Sequence, residues 1–237
     1  MHITLPVLDV HQIYAHFAAE MTAFDCGKFC APHNPSGKPY CCDICQAVPA
    51  VYVQEWEYLQ QNTDLWHKWR GEECSGEIEC SGEIECSEDP TDSSVLMSET
   101  PEHMLLLACK GPAHCQRQFR ALSCRQFPFF PYVSTDYRFL GLACEWEFEQ
   151  TCWVIRNQGA VTAAYRREFI QVYDELFTLW QDDLASYAVH SDQMREHYAA
   201  QRRRFPLMHR NGSLYLVSPA SERMQRVQPG YFKNHDS

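Results

Sequence analysis

Apolar positions recur with a helical period in several stretches of this chain. Over residues 9–22, Val10, Ile13, Tyr14, Phe17 and Met21 fall on one face of a 3.6-residue helix. Asp9, followed three residues later by Gln12, supplies a capping pair at its start. The strongest stripe runs over about 160–181 through Val161, Tyr165, Phe169, Val172, Tyr173, Leu176, Phe177 and Trp180. Another helix is expected from near Ser191 to Arg202, Arg203 and Arg204, whose charges suit a helix C-terminus. A helix or helix pair after Pro49 carries Trp56, Leu59, Leu65, Trp66 and Trp69 and ends near Gly71. Two apolar runs echo each other: residues 105–109 read Leu-Leu-Leu-Ala-Cys and residues 140–144 read Leu-Gly-Leu-Ala-Cys. Both read as short buried strands that, side by side, would bring Cys109 and Cys144 to the same end of a small sheet. Asn211-Gly212 between Leu207–Arg210 and Ser213–Val217 is a strong hairpin signal.

The pattern predicts an α+β fold, mainly helical, with an irregular cysteine-rich region and a few short strands. Residues 1–152 would form the cysteine-rich domain. Residues 153–237 would form a helical brace and a terminal β-hairpin, packed as one unit with it.

Charge changes the picture in the middle of the chain. Of the formal net charge of −11, eight carboxylates lie between residues 72 and 89 with no Lys or Arg among them, and the rest of the chain carries −3. That stretch repeats Glu-Cys-Ser-Gly-Glu-Ile twice from Glu73 and starts a third copy at Glu85. Copies of six residues cannot build a packed solenoid, so residues 72–92 are expected to be an exposed, mobile loop. On that reading Cys74, Cys80 and Cys86 were placed by duplication and stay outside any metal site. The acidic balance excludes a general nucleic-acid binder. No segment is apolar for long enough to span a bilayer. The opening MHITLPVLDV has neither the basic nor the apolar region of a secretory signal. Those features point to the cytoplasm, where thiols stay reduced.

Cysteine carries the candidate chemistry, with thirteen in 237 residues. Cys26, Cys30, Cys41, Cys42 and Cys45 form one group; Cys109, Cys115 and Cys124, followed by Cys144 and Cys152, form another. Clustered thiols in a reducing compartment point to metal rather than disulfides. Cys26 and Cys30 are one helical turn apart. Cys42 and Cys45 have the C-x2-C spacing of zinc and iron–sulfur sites. The adjacent pair Cys41-Cys42 suits two neighbouring ions or the two sides of a cluster better than one ion. Nine candidate ligands result: Cys26, Cys30, Cys41, Cys42, Cys45, Cys109, Cys115, Cys124 and Cys144. That number permits two four-thiolate sites, or one cluster plus one ion. Thiolates accept zinc and iron alike. The two groups, residues 26–45 and 109–144, are expected to meet in space.

Phe24-Asp25-Cys26, the Cys41-Cys42 doublet and Cys124-Arg125-Gln126-Phe127-Pro128-Phe129 resemble the YkgJ-type cysteine-cluster domain. The resemblance covers roughly residues 24–152. Here the family's opening cysteine motif is spread out, and Arg120-Ala121 stands where the family has Arg-Pro. The resemblance implies a zinc- or iron-chelating domain related to bacterial flagellin lysine-N-methylases.

No Gly-rich phosphate loop, G-x-S-x-G or H-E-x-x-H motif is present. His103 and His114 read either as ordinary histidines or as ligands or bases. Arg125 reads as an ion-pair partner or as a donor to a cluster sulfur. The run Phe127, Phe129, Phe130 and Tyr132 reads as a hydrophobic lid over the metal or as a pocket wall. Three function classes stay open: a metal-binding protein, an iron–sulfur enzyme for redox work or protein lysine methylation, and an interaction module with structural metal.

Overall fold

The computed structural model describes residues 7–71, 97–98 and 100–228. The acidic repeat, with Cys74, Cys80 and Cys86, lies outside the described residues. The chain divides into two compact units, Ala31–Arg125 and the paired segments Met1–Cys30 and Gln126–Ser237. The architecture is mixed α+β with two antiparallel sheets.

In the unit Ala31–Arg125, β1 (Ala50–Tyr52), β2 (Trp66–Lys68) and β3 (Met104–Cys109) form a sheet in the order β1-β3-β2. The long apolar run of β3 makes it the central strand. It pairs Leu106 with Ala50 on one side and Cys109 with Trp66 on the other. Between β1 and β2 lies the helix Val53–Asn62. The segment after Pro49, expected as one or two helices, is therefore strand, helix and strand. Trp66 ends up in a strand because it completes the ladder beside Cys109 and its indole donates to the Phe119 carbonyl at 2.8 Å. Glu55, buried on that helix, accepts from the Leu122 backbone at 2.6 Å and so anchors the start of the helix Leu122–Gln126.

The second unit is built on a five-stranded meander, β4 (Phe129–Val133), β5 (Phe139–Cys144), β6 (Phe205–His209), β7 (Leu214–Val217) and β8 (Met224–Val227), in sequence order. The expected hairpin is β6–β7, with Gly212 in its turn at φ +83°. Strands β3 and β5 are both strands, as their shared pattern predicts, but they belong to different sheets. Cys109 and Cys144 therefore do not share a sheet end. Each apolar run found a different partner, because five or six apolar residues specify a buried strand and not its neighbour.

Two helices cover the sheet. Ala163–Leu179 begins at Thr162, whose side chain accepts from the Tyr165 N–H at 3.2 Å, and buries the expected stripe Tyr165, Phe169, Val172, Tyr173 and Leu176. Gln181–Ala200 begins ten residues earlier than the pattern indicated. It packs Met194 and Tyr198 into a core with Phe130, Tyr132, Ala143, Phe205, Leu207 and Val217. Phe129, Phe130, Tyr132 and Val133 are all fully buried because both faces of β4 are covered. The N-terminal helix, Val10–His16, is shorter than expected. Asp9 caps it through the Gln12 N–H at 3.0 Å, and it stops at Phe17, whose ring is drawn into the core against Tyr165 and Phe169.

Gly141 on β5 holds a tight point in the meander. A Cβ there would stand 2.2 Å from the Met208 carbonyl oxygen, and its φ of +149° disfavours any other residue.

Candidate metal centre

Each thiol is delivered by a local feature. In the unit Ala31–Arg125, Cys42 closes the 3-10 turn Tyr40–Cys42, and Cys109 ends β3. Cys115 follows the turn Pro112–His114, and Cys124 sits in the short helix Leu122–Gln126. Those four are close enough for their charges to couple. Burial pushes the Cys124 thiol far above its ordinary value, and Cys109 and Cys42 push it further. Burial likewise raises Cys109, with Cys42 and Cys115 adding to the effect. Arg120 sits among them. Its Nε donates to Cys115 Sγ at 3.1 Å, and although burial opposes its charge, Cys115, Cys42 and Cys124 hold its pKa above the ordinary value.

A second set gathers in the other unit. Cys26 precedes the helical turn Gly27–Cys30, where the Asp25 carboxylate accepts from the Gly27 N–H at 3.1 Å. Cys144 ends β5, and Cys152 leads into the short helix Trp153–Arg156. Burial raises Cys144, and Cys152 adds to it. Burial pushes Cys152 up to about 11, with Cys26 and Cys30 contributing. Burial raises Cys26 as well, assisted by Cys30. Gln158 Nε2 donates to Cys144 Sγ at 3.1 Å. Phe129 stands opposite Cys144 in the ladder, and its ring meets that of Tyr165 at 6.2 Å. Phe24, Phe29 and Trp153 form an aromatic cluster around the chain segments that carry Cys26, Cys30 and Cys152, with Phe29 and Trp153 stacked at 4.7 Å.

The nine expected ligands thus separate. Cys42, Cys109, Cys115 and Cys124 form one neighbourhood, and Cys26, Cys30 and Cys144 form another with Cys152. Each neighbourhood draws on both sequence groups. Cys41 lies beside Cys42, with the two sulfurs 3.9 Å apart. Cys45 is disulfide-bonded and offers no thiol, whereas the other nine described cysteines form no disulfide. The C-x2-C spacing of Cys42 and Cys45 therefore does not act as a chelating pair. Among the described residues, no three His, Cys, Asp or Glu side chains already stand in a metal-binding arrangement.

Cys152 was not among the expected ligands. Its signal was its membership of the second cysteine group, but nothing in its local sequence marks it as a ligand. The roles of Arg120 and Gln158 had no sequence signal. Arg125, expected near a sulfur, is turned to the backbone and donates to the carbonyls of Gln118 at 2.8 Å and Arg120 at 2.9 Å. Arg120 makes the contact with sulfur instead. His103 stacks on Tyr52, and His114 is exposed on its turn. Phe129, Phe130 and Tyr132 of the aromatic run are all core, with Phe129 beside Cys144 and Tyr165, and Phe127 meets Phe148.

Comparison with known proteins returns no matching family model, no matching curated protein and no matching solved structure.

Proposed function

We propose that this protein binds zinc or iron through clustered cysteine thiolates, in two four-cysteine centres. One centre would use Cys42, Cys109, Cys115 and Cys124, and the other Cys26, Cys30, Cys144 and Cys152. The observation that carries this reading is the separation of eight thiols that form no disulfide into two sets of four, one in each compact unit. Four soft sulfur donors are the complement that a closed zinc site or an iron–sulfur cluster takes. The N–H donors from Arg120 to Cys115 and from Gln158 to Cys144 fit sulfurs carrying negative charge, and such outer contacts orient and tune thiolate ligands. The resemblance of the Cys124–Phe129 phrase to a metal-chelating family points the same way.

Raised thiol pKa values mean that a metal must displace protons, and each centre would release up to four on loading. When bound, zinc would supply structural cross-linking, and an iron–sulfur cluster would supply electron transfer. The chain's own residues would exclude water, through Tyr165 and Phe129 in one unit and through Leu122 of the helix that carries Cys124 in the other.

Metal analysis with an absorption spectrum on anaerobically prepared protein tests this. Colourless protein with two zinc ions per chain, or brown protein with iron and sulfide, is the expected result; the brown form favours redox or modifying chemistry. Cys124→Ser and Cys152→Ser should each abolish one centre, and the double variant both. Protein that takes up neither metal after reduction and reconstitution would overturn the proposal.

A further inference from the structure

Nine described cysteines form no disulfide, and the two proposed centres use eight of them. The ninth is Cys41. It stands on the 3-10 turn Tyr40–Cys42, with its sulfur 3.9 Å from that of Cys42. Both residues are half-buried, and residues 35–38 just before them are exposed, so the turn lies at the surface. Cys42 is also close enough to Cys109 and Cys124 for their charges to couple. It therefore touches its neighbour on one side and its centre on the other.

Cys45 adds a second, independent observation. It lies in the turn that follows and is disulfide-bonded, so sulfur in this segment already exists in the oxidised state.

We propose that Cys41 and Cys42 form a redox modification site, at which a peroxide joins the two sulfurs as a vicinal disulfide and withdraws Cys42 from its centre. The withdrawal rests on the reading of Cys42 as a metal ligand; the bond itself does not. The Cys41 thiolate attacks one peroxide oxygen, the O–O bond breaks, and hydroxide leaves, giving a sulfenic acid. The Cys42 thiolate then attacks the Cys41 sulfur and expels the second oxygen as hydroxide. Protons from the two thiols turn both hydroxides into water. The sulfurs must approach by about 2 Å, because a disulfide bond is about 2.05 Å long. Joining neighbouring residues closes a tight ring, and strained disulfides are the readily reduced ones, so thiol reductants reverse the change. Loss of Cys42 leaves Cys109, Cys115 and Cys124, an open site instead of a closed one. The other set, Cys26, Cys30, Cys144 and Cys152, contains no adjacent pair, so the loss is confined to one centre.

Tandem mass spectrometry of anaerobically prepared protein, treated with one equivalent of hydrogen peroxide, tests the bond. A Cys41–Cys42 disulfide that dithiothreitol removes is expected. Zinc-loaded protein treated in the same way should lose one of its two zinc ions, whereas Cys41→Ser should keep both. Pairing of Cys42 with any other cysteine, no new disulfide, or equal zinc loss in Cys41→Ser would overturn the assignment. Zinc content before peroxide is added tests the metal reading separately. A chain that binds zinc but forms no such bond keeps its centres and loses the modification site; one that forms the bond but binds no zinc does the reverse.

Discussion

Arg120 donates its Nε–H to the sulfur of Cys115 at 3.1 Å, from a side chain that also feels Cys42 and Cys124. If that sulfur is a metal ligand, the guanidinium offsets its charge. Arg120→Met should then lower metal affinity by ~10–100-fold, as loss of an outer-shell partner does, while leaving the other centre loaded. Chelator competition measures the effect. An unchanged affinity would show that the bond is only a packing contact.

The two members of the cysteine doublet should behave differently. Cys42 couples to Cys109 and Cys124, whereas Cys41 stands beside it on the same turn. Cys42→Ser should reduce the metal content by one centre, and Cys41→Ser should leave it intact. Equal losses in both variants would mean that the doublet serves a shared cluster.

Gly141→Ala should destabilise the protein by on the order of 3–5 kcal/mol, because the added methyl meets the Met208 carbonyl at 2.2 Å. Chemical denaturation reads the change. A loss below about 1 kcal/mol would mean that β5 and β6 separate easily.

Glu222 accepts hydrogen bonds from Tyr132 and Thr135 and pairs with buried Arg195 at 3.4 Å. Burial tends to raise its pKa, yet those partners hold it below the ordinary 4.5. A lowered carboxyl pKa adds stability that is present above pH 4.5 and is lost as the pH falls through the folded-state value. Glu222→Gln should therefore cost about 1–3 kcal/mol at neutral pH. The difference from the parent protein should shrink below pH 4.5. Thermal melts at both pH values test this, and an equal gap at both would refute the linkage.

Elements that carry their own local signals were legible in the sequence. Thr162 and the stripe to Leu176 announced a helix, Asp9 with Gln12 announced another, and Asn211-Gly212 announced a hairpin. Each depends on neighbours within a few residues. What was not legible depends on distant partners. Nothing local tells β3 to sit between β1 and β2 while β5 joins a meander, and Trp66 becomes a strand residue only because Cys109 lies across from it. The helix Gln181–Ala200 began earlier than expected because its first turns, with Asp182 and Asp183, are polar and show no stripe. Among the site residues, the thiols were visible as a composition and two spacings. Their separation into sets depended on where the chain folds back, which placed Cys152 with Cys26 and sent Cys45 to a disulfide.

The unit holding Cys26 and Cys30 is discontinuous, with residues 31–125 lying between its two segments, and this imposes an order of events during synthesis. The first pair of thiols leaves the ribosome more than a hundred residues ahead of Cys144 and Cys152. At ~5–20 residues per second, that is a wait of several seconds or more with no folded surroundings. The intervening unit, by contrast, has all of its cysteines once Cys124 has emerged and can fold first. The nascent chain thus carries the thiols of Cys26 and Cys30 without their folded neighbours until residues 144–152 are made.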